Sequence, residues 1–486
     1  MNKGLKNLKY LRICFFHHYK SIQMFPREIY IERRTCLKNA VNKGIVLLLG
    51  NRECPMNYKA NPFPFRQDSN FLYYFGIDEP DLAGIIDIDE NTETVYGNDP
   101  DLEDIIWMGY QESMKEKCHQ AGIINSRPRN DLKSDIDKAI DQKRRIHYLP
   151  PYSDDRRMQL SSLLGLEHNR IHASVSQELI KAVVAQRSCK NEVEITEMEE
   201  TMNEITRAFY LEAMHQIKPG RYEFEIAGLI NGFTLERNCR MAYPIICSVN
   251  GHILHNHYYR NQLQSGNLLL IDAGAESPLH YATDLTRTFP VSGKFTGPQK
   301  DLYSIVLQAE VESVKAIKPG IRYLDIHLHA SGVICQGLKD LGFMTGNIDD
   351  AVQAGAHALF FPHGLGHMIG LDVHDMEDLG EEFVGYDDDV KRISQFGTGY
   401  LRLGKKLKEG FTLTVEPGIY FIPALIEEWV SEKRHSPFIR YDKVRQFVNF
   451  GGIRIEDNVL VTDSGHKIIG DPVPKTIGEI ENIMKR

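Results

Sequence analysis

The chain has 486 residues, 42% hydrophobic and 25% charged, which is ordinary for a soluble globular protein and longer than one hydrophobic core usually serves, so two domains are expected. Its formal net charge of -9 and pI of about 6.1 give no electrostatic pull toward phosphate backbones, so no nucleic-acid partner is expected. No apolar run approaches the roughly 20 residues that span a bilayer, which argues against a membrane partner, and eight scattered cysteines without a C-x-x-C pair read as free thiols in a reducing cytoplasm.

Residues 1–23 carry Lys3, Lys6, Lys9, Arg12 and Lys20 and no acid, and their apolar stretch is too short for a signal-peptide core. Met24 opens MFPREIYIERR, a natural domain start, so 1–23 is expected to be an extension without a structural role. Beyond it, 28–42 is charged and amphipathic and predicts a helix, and 44–50 (GIVLLLG) predicts a buried strand between glycines. Residues 71–75 and 84–88 predict further strands, with Tyr73, Tyr74 and Phe75 read as core. No phosphate loop, nucleophile elbow or dinucleotide fingerprint occurs. This α/β pattern defines an N-terminal domain over 24–170. An acid-rich, helix-forming stretch follows, read as two helices joined near Cys189-Lys190-Asn191. Residues 171–190 are the expected linker region and 191–486 the second domain, closed by a helix over 475–485.

The second domain holds the residues that carry chemistry. Leu268-Leu269-Leu270-Ile271 runs into Asp272, where an apolar strand should not place an acid. If strands 267–275 and 281–289 pair about Pro278, Asp272 and Asp284 fall opposite one another. Like charges so placed repel, and a divalent cation turns that repulsion into coordination. The segment FFPHGLGHMIGLDVHD carries His363, His367 and His374, interleaved with glycines that permit close backbone approach and argue for loop rather than helix. Glu416 ends the strand 411–415 directly before Pro417-Gly418, and in GGIRIEDNVLVT period two puts Arg454 and Glu456 on one face. Four buried-looking carboxylates without matching cations are costly unless neutralised, and two divalent metal ions match their charge. Oxygen ligands with a single imidazole suit manganese, cobalt, iron or zinc better than copper. Two such ions can acidify a shared water and stabilise a tetrahedral intermediate.

The order Asp, Asp, His, Glu, Glu, in the settings IDAGAESPLHYATDLTRTFP, PHGLGHMIGLDVHD, LTVEPGIY and GIRIEDNVLV, resembles the pita-bread metallopeptidases, and within them the Xaa-Pro aminopeptidase (aminopeptidase P) and prolidase branch. NPFPFRQDSNFLYYFGID resembles the N-terminal domain that these enzymes carry. The resemblance implies an α+β (pita-bread) C-terminal catalytic domain behind a smaller α/β N-terminal domain. It implies Asp272, Asp284, His367, Glu416 and Glu456 as ligands of two divalent metal ions, with manganese the expected metal. Glu416 would also accept the proton of the attacking water. His255 in GHILHNHYY matches a substrate-side histidine, His363 and His374 match histidines holding the scissile carbonyl and the proline side, and Arg454 matches an arginine beside the last ligand. The implied substrate is a peptide with proline at its second position, and the implied assembly a homo-oligomer, a dimer or tetramer. The implied activity is release of the residue before proline, with prolidase, restricted to dipeptides, as the alternative. A non-catalytic binding protein or a metal-free amidinohydrolase would be expected to lack a ligand, and all five are present. Two departures stand out: the Asp272–Asp284 interval is one residue longer than is common, and 377–407 and 426–449 are long enough to border and close the exit side of the site.

Overall fold

The computed structural model describes residues 24–485, so the expected extension 1–23 lies outside the described residues. The predicted first helix forms over Arg27–Val41 and the first strand over Ile45–Leu49. That strand is interior in a five-stranded sheet, next to the edge strand Ile146–His147, to which it is parallel, and antiparallel to the central Ala83–Asp87, with Thr92–Tyr96 and Asn125–Arg127 beyond. Successive side chains leave opposite faces: Val46 and Leu48 join the main core, while Ile45, Leu47 and Leu49 join a smaller cluster under the outer helices. Burial on both faces is why this strand reads as an unbroken apolar run.

Residues 71–75 are not a strand. Ser69–Phe75 is a helix, capped by the Asp68 side chain accepting from Phe71 N and stopped at Gly76 in the left-handed conformation. Capping at both ends outweighs the β-propensity of its aromatic run. All three predicted core aromatics, Tyr73, Tyr74 and Phe75, are buried.

The two predicted helices around residue 190 form over Gln177–Ser188 and Glu192–Thr201. In the C-terminal half, short sheets built from Ile246–Ser248, Leu268–Asp272, Thr286–Pro290, Thr412–Val415, Gly418–Tyr420, Gly452–Arg454 and Asp457–Val461 are backed by long helices, among them Gly297–Ala316 and Tyr323–Asp340. This is the expected α+β C-terminal domain behind a smaller α/β N-terminal domain. Buried ions tie the halves: the Arg33 guanidinium lies 3.1 Å from both Tyr281 Oη and a Glu194 carboxylate oxygen, and Arg66 Nε donates to Glu276 over 3.0 Å. Among the described residues no helix is long and apolar enough to cross a membrane.

Two fully buried imidazoles, His327 and His357, face each other at 6.1 Å between ring centroids, and none of their four ring nitrogens has a hydrogen-bond partner. Burial lowers their pKa values to about 3 and about 4. Between those values and the unfolded pKa of ~6.5 the unfolded chain binds protons that the folded chain refuses. Their contribution is therefore intact above pH ~6.5 and falls as pH falls, by on the order of 1 kcal/mol per pH unit for each ring. His327→Leu combined with His357→Leu is expected to move the acid-unfolding midpoint, read by circular dichroism, to lower pH; an unmoved midpoint would refute this account.

Candidate active site

Register delivers the carboxylates. Val415 pairs with Asp457 across the antiparallel strands, so Glu416 and Glu456 come opposite each other one step further along. Glu456 N donates to Thr286 O over 3.1 Å, and Thr286 pairs with Asp272, which brings the two aspartates' strands to the same point. The partner of Asp272 is thus Thr286 and not Asp284. The hairpin is offset because Ala275–Glu276 breaks away from Leu268–Asp272, and a Cβ on Gly274 would meet Thr283 O at 1.8 Å, so only glycine allows this crossing. Asp284 is instead anchored through its backbone, with its N–H donating to Asn458 Oδ1 over 3.0 Å, and its carboxylate reaches the site.

The histidine segment is irregular, as its glycines predict. It runs along the strand Thr412–Val415: Thr414 N donates to His367 O over 3.0 Å and Glu416 N to Leu365 O over 2.8 Å. A Cβ on Gly366 would lie 2.0 Å from Thr414 O, so a glycine is required for this approach. His367 Nδ1 donates to Met368 O over 3.0 Å, which turns Nε2 to the carboxylates, 3.4 Å from Asp284 Oδ2 and 3.7 Å from Glu416 Oε1.

One cavity of about 780 Å³ is lined by Asp272, Asp284, His367, Glu416 and Glu456, and also by His255, His363, His374 and Arg454. The structure brings all nine expected residues to one cavity. Asp284, His367 and Glu456 each offer a ligand atom within 4.8 Å of the others'. Asp272 is engaged by Arg454, whose Nη2 donates to its Oδ2, and by Tyr243, whose Oη is 2.7 Å from Asp272 Oδ1 and 2.5 Å from Asp284 Oδ1. Glu416 is 19% exposed at its side chain and so faces the cavity. His363 is committed on both sides, Nδ1 to Gly364 O and Nε2 to Tyr420 Oη, each over 2.8 Å. His374 gives Nδ1–H to Glu377 over 2.6 Å, and its ring lies 4.3 Å from that of His367. The loop beneath it is fixed by Asp375, which accepts from Arg187 over 2.6 Å and from Lys190 over 2.8 Å, all three buried.

The electrostatics fit a divalent metal. Burial drives the Glu456 carboxyl well above its usual range and the Glu416 carboxyl up to about 7, and burial likewise raises Asp272. Burial also works against ionised Asp284, yet the hydrogen bonds and charge of His367 together with the Tyr243 hydroxyl outweigh it and lower that carboxyl. Glu456 Oε1 is buried without any partner, although Thr286 Oγ1 donates to Oε2 over 2.7 Å. A hard cation satisfies that orphan oxygen and replaces the missing positive charge.

Sequence reasoning missed Tyr243, Tyr420 and Arg402, all three in contact with the site residues or lining their cavity. Tyr243 and Tyr420 flank the quoted motifs without an unusual pattern. Arg402 lies in the long segment 377–407, whose length was the only signal.

Comparison with known proteins agrees with this geometry. Residues 197–463 match the Metallopeptidase family M24 and residues 30–147 match the Aminopeptidase P, N-terminal domain. The chain belongs to metallopeptidase family M24. It is a hydrolase of that family's aminopeptidase P and prolidase branch. The Xaa-Pro dipeptidase of Homo sapiens is 32% identical over 457 residues, covering 92% of this chain and 90% of that one. A probable Xaa-Pro aminopeptidase of Aspergillus fumigatus is 31% identical, covering 88% of each chain. Among solved structures, an Escherichia coli aminopeptidase P variant in complex with substrate superposes with a TM-score of 0.78 at 27% identity, covering 95% of this chain and 98% of that one. Membership of this metallopeptidase family implies divalent metal ions.

Proposed function

We propose that this chain is an Xaa-Pro aminopeptidase, hydrolysing the bond between an N-terminal residue and a following proline, with two manganese ions held by Asp272, Asp284, His367, Glu416 and Glu456. The observation that carries this reading is that one cavity gathers those five residues with His255, His363, His374 and Arg454. Proline lacks an N–H and holds φ fixed, so a bond beside it calls for a dedicated apolar pocket; Pro244, Phe396, Ile422 and Leu425 on the same cavity supply such a wall. Bound divalent ions would supply a Lewis acid for the scissile carbonyl and an acidified water. Glu416 takes the proton of the attacking water on its carboxylate and returns it to the proline nitrogen. His374, with Nδ1–H given to Glu377, turns Nε2 to the cavity as an acceptor for a substrate N–H or water. Arg454 anchors Asp272 and donates to Tyr420 over 3.0 Å.

Arg402 favours the second reading, a dipeptidase. A dipeptide presents a carboxylate directly after proline, and an arginine fixed on the cavity is a suitable partner for it. Alanyl-proline and alanyl-prolyl-alanine, each incubated with the manganese-loaded chain, separate the readings. Cleavage of both supports the aminopeptidase, cleavage of the dipeptide alone reverses the assignment to prolidase, and cleavage of neither removes both.

A homo-oligomer is supported by the helix Leu102–Met108, which has no buried residue and leaves Leu102, Ile106, Trp107 and Met108 at least 69% exposed. Such a patch favours a partner surface. Trp107→Glu is expected to lower the sedimenting mass; an unchanged mass would locate the interface elsewhere or remove it. A reducing cytoplasm is supported by the seven free thiols among the described residues.

A further inference from the structure

Glu377 lies three residues beyond His374, and each of its carboxylate oxygens has a different partner. Oε2 is 2.6 Å from His374 Nδ1, and Oε1 accepts from Arg402 Nε over 3.1 Å. His374 and Arg402 both line the reaction cavity, and Glu377 lines, with His374, the adjoining cavity of about 420 Å³, which Asn51, Tyr152 and Arg156 of the N-terminal domain also line. Glu377 therefore stands behind the two groups that face the reacting atoms.

Each contact fixes a direction. A carboxylate only accepts, so His374 must give its Nδ1 proton to Glu377 and present Nε2 to the other side. Arg402 is held at Nε alone. Neither of its terminal nitrogens has a hydrogen-bond partner among the described residues, which leaves them for a planar anion. An isolated pair at this exposure, 38% for both Arg402 and Glu377, would contribute little to stability. Its use lies in orientation, because one carboxylate sets two cavity-facing side chains at a fixed separation. Hydrogen bonding from His374 and the Arg402 charge hold the Glu377 carboxyl down to about 2, so it is an acceptor throughout the neutral range.

We infer that Glu377 is a positioning residue that locks His374 and Arg402 into one unit, directing Arg402's terminal nitrogens at the free carboxylate of an Xaa-Pro substrate while the His374 ring is fixed with its Nε2 acceptor toward the reaction cavity. This rests on the dipeptide reading of Arg402.

The test compares alanyl-proline with its C-terminal amide, using the manganese-loaded full chain as wild type, Glu377→Gln, Glu377→Ala, Arg402→Met and the Arg402→Met/Glu377→Ala double variant, each checked by thermal unfolding. Wild type is expected to favour the acid over the amide by about tenfold or more in kcat/KM, as a charge-assisted contact supplies. Glu377→Ala is expected to lose most of that preference through a higher KM for the acid, with a lower kcat on both substrates because His374 is also released. Glu377→Gln, which keeps the shape and one acceptor oxygen, should fall between. Arg402→Met should abolish the preference, and adding Glu377→Ala to it should leave the acid-to-amide ratio where it was. A preference retained in a folded Glu377→Ala chain overturns the inference, as does further loss of preference in the double variant. A wild type that cleaves both substrates equally overturns the dipeptide reading and this inference with it, leaving the Xaa-Pro hydrolase assignment standing.

Discussion

Glu416→Gln is expected to lower turnover by about 10²–10⁴-fold, the usual loss when a general base is removed, while the chain still takes up metal. The substitution keeps the side chain's length and shape. Its backbone anchor, Glu416 N to Leu365 O, does not involve the carboxyl group. What is lost is an oxygen able to accept a proton, in a position 3.7 Å from His367 Nε2 and 4.0 Å from His363 Nδ1, where no other carboxylate is equally free. Asp272 is occupied by Arg454 and Tyr243, and Glu456 is held by Thr286 at one oxygen and buried at the other. Steady-state turnover of alanyl-proline and elemental analysis of the purified variant decide the matter. Turnover within a few-fold of wild type would remove Glu416 from the proton-accepting role, and complete loss of metal would make it a ligand only.

The second large effect is on metal-linked stability. A ligand that binds only the folded chain stabilises it by about 2.7 kcal/mol at a hundred times its Kd, so adding manganese to the chelator-treated chain should raise its melting temperature. Glu456→Gln should erase that rise. It should leave the metal-free melting temperature nearly unchanged, because burial already pushes the Glu456 carboxyl toward its neutral form and an amide of the same shape imitates it. A buried carboxylate removed from a site that needed it for packing would instead lower the metal-free stability by several kcal/mol, and the melting temperature with it. Differential scanning calorimetry with and without manganese separates the two. A variant that still gains the full manganese-dependent rise would exclude Glu456 as a ligand.

The sequence was informative where function is written in short local strings. An acid after four aliphatic residues, a histidine among glycines, and glutamates at the ends of apolar strands each violate the ordinary cost of burial, and that violation is visible without coordinates. The order of these strings was enough to place the chain in its family and to name nine residues that one cavity gathers. The segment 71–75 shows the limit of local propensity: its aromatics favoured a strand, while Asp68 and Gly76, at the two ends, carried the signal that prevailed.

Residues that matter only through distant partners could not be read this way. Arg402 is one of 57 lysines and arginines, and nothing in its neighbours distinguishes it until folding brings it to Glu377 and to the wall shared with His374. Tyr243 and Tyr420 likewise read as ordinary aromatics, yet their hydroxyls bridge Asp272 to Asp284 and His363 to Arg454. The pairing of Asp272 with Thr286 depended on a two-residue offset set by the crossing at Gly274. Periods of 2 and 3.6 residues report which face of an element is buried. They carry no information about register between segments or about which side chains meet across a cavity, because those are settled by long-range packing. The amino-acid string alone therefore determined the kind of chemistry and its acids, whereas the tertiary structure decided how those acids are aimed and which cation waits beside them.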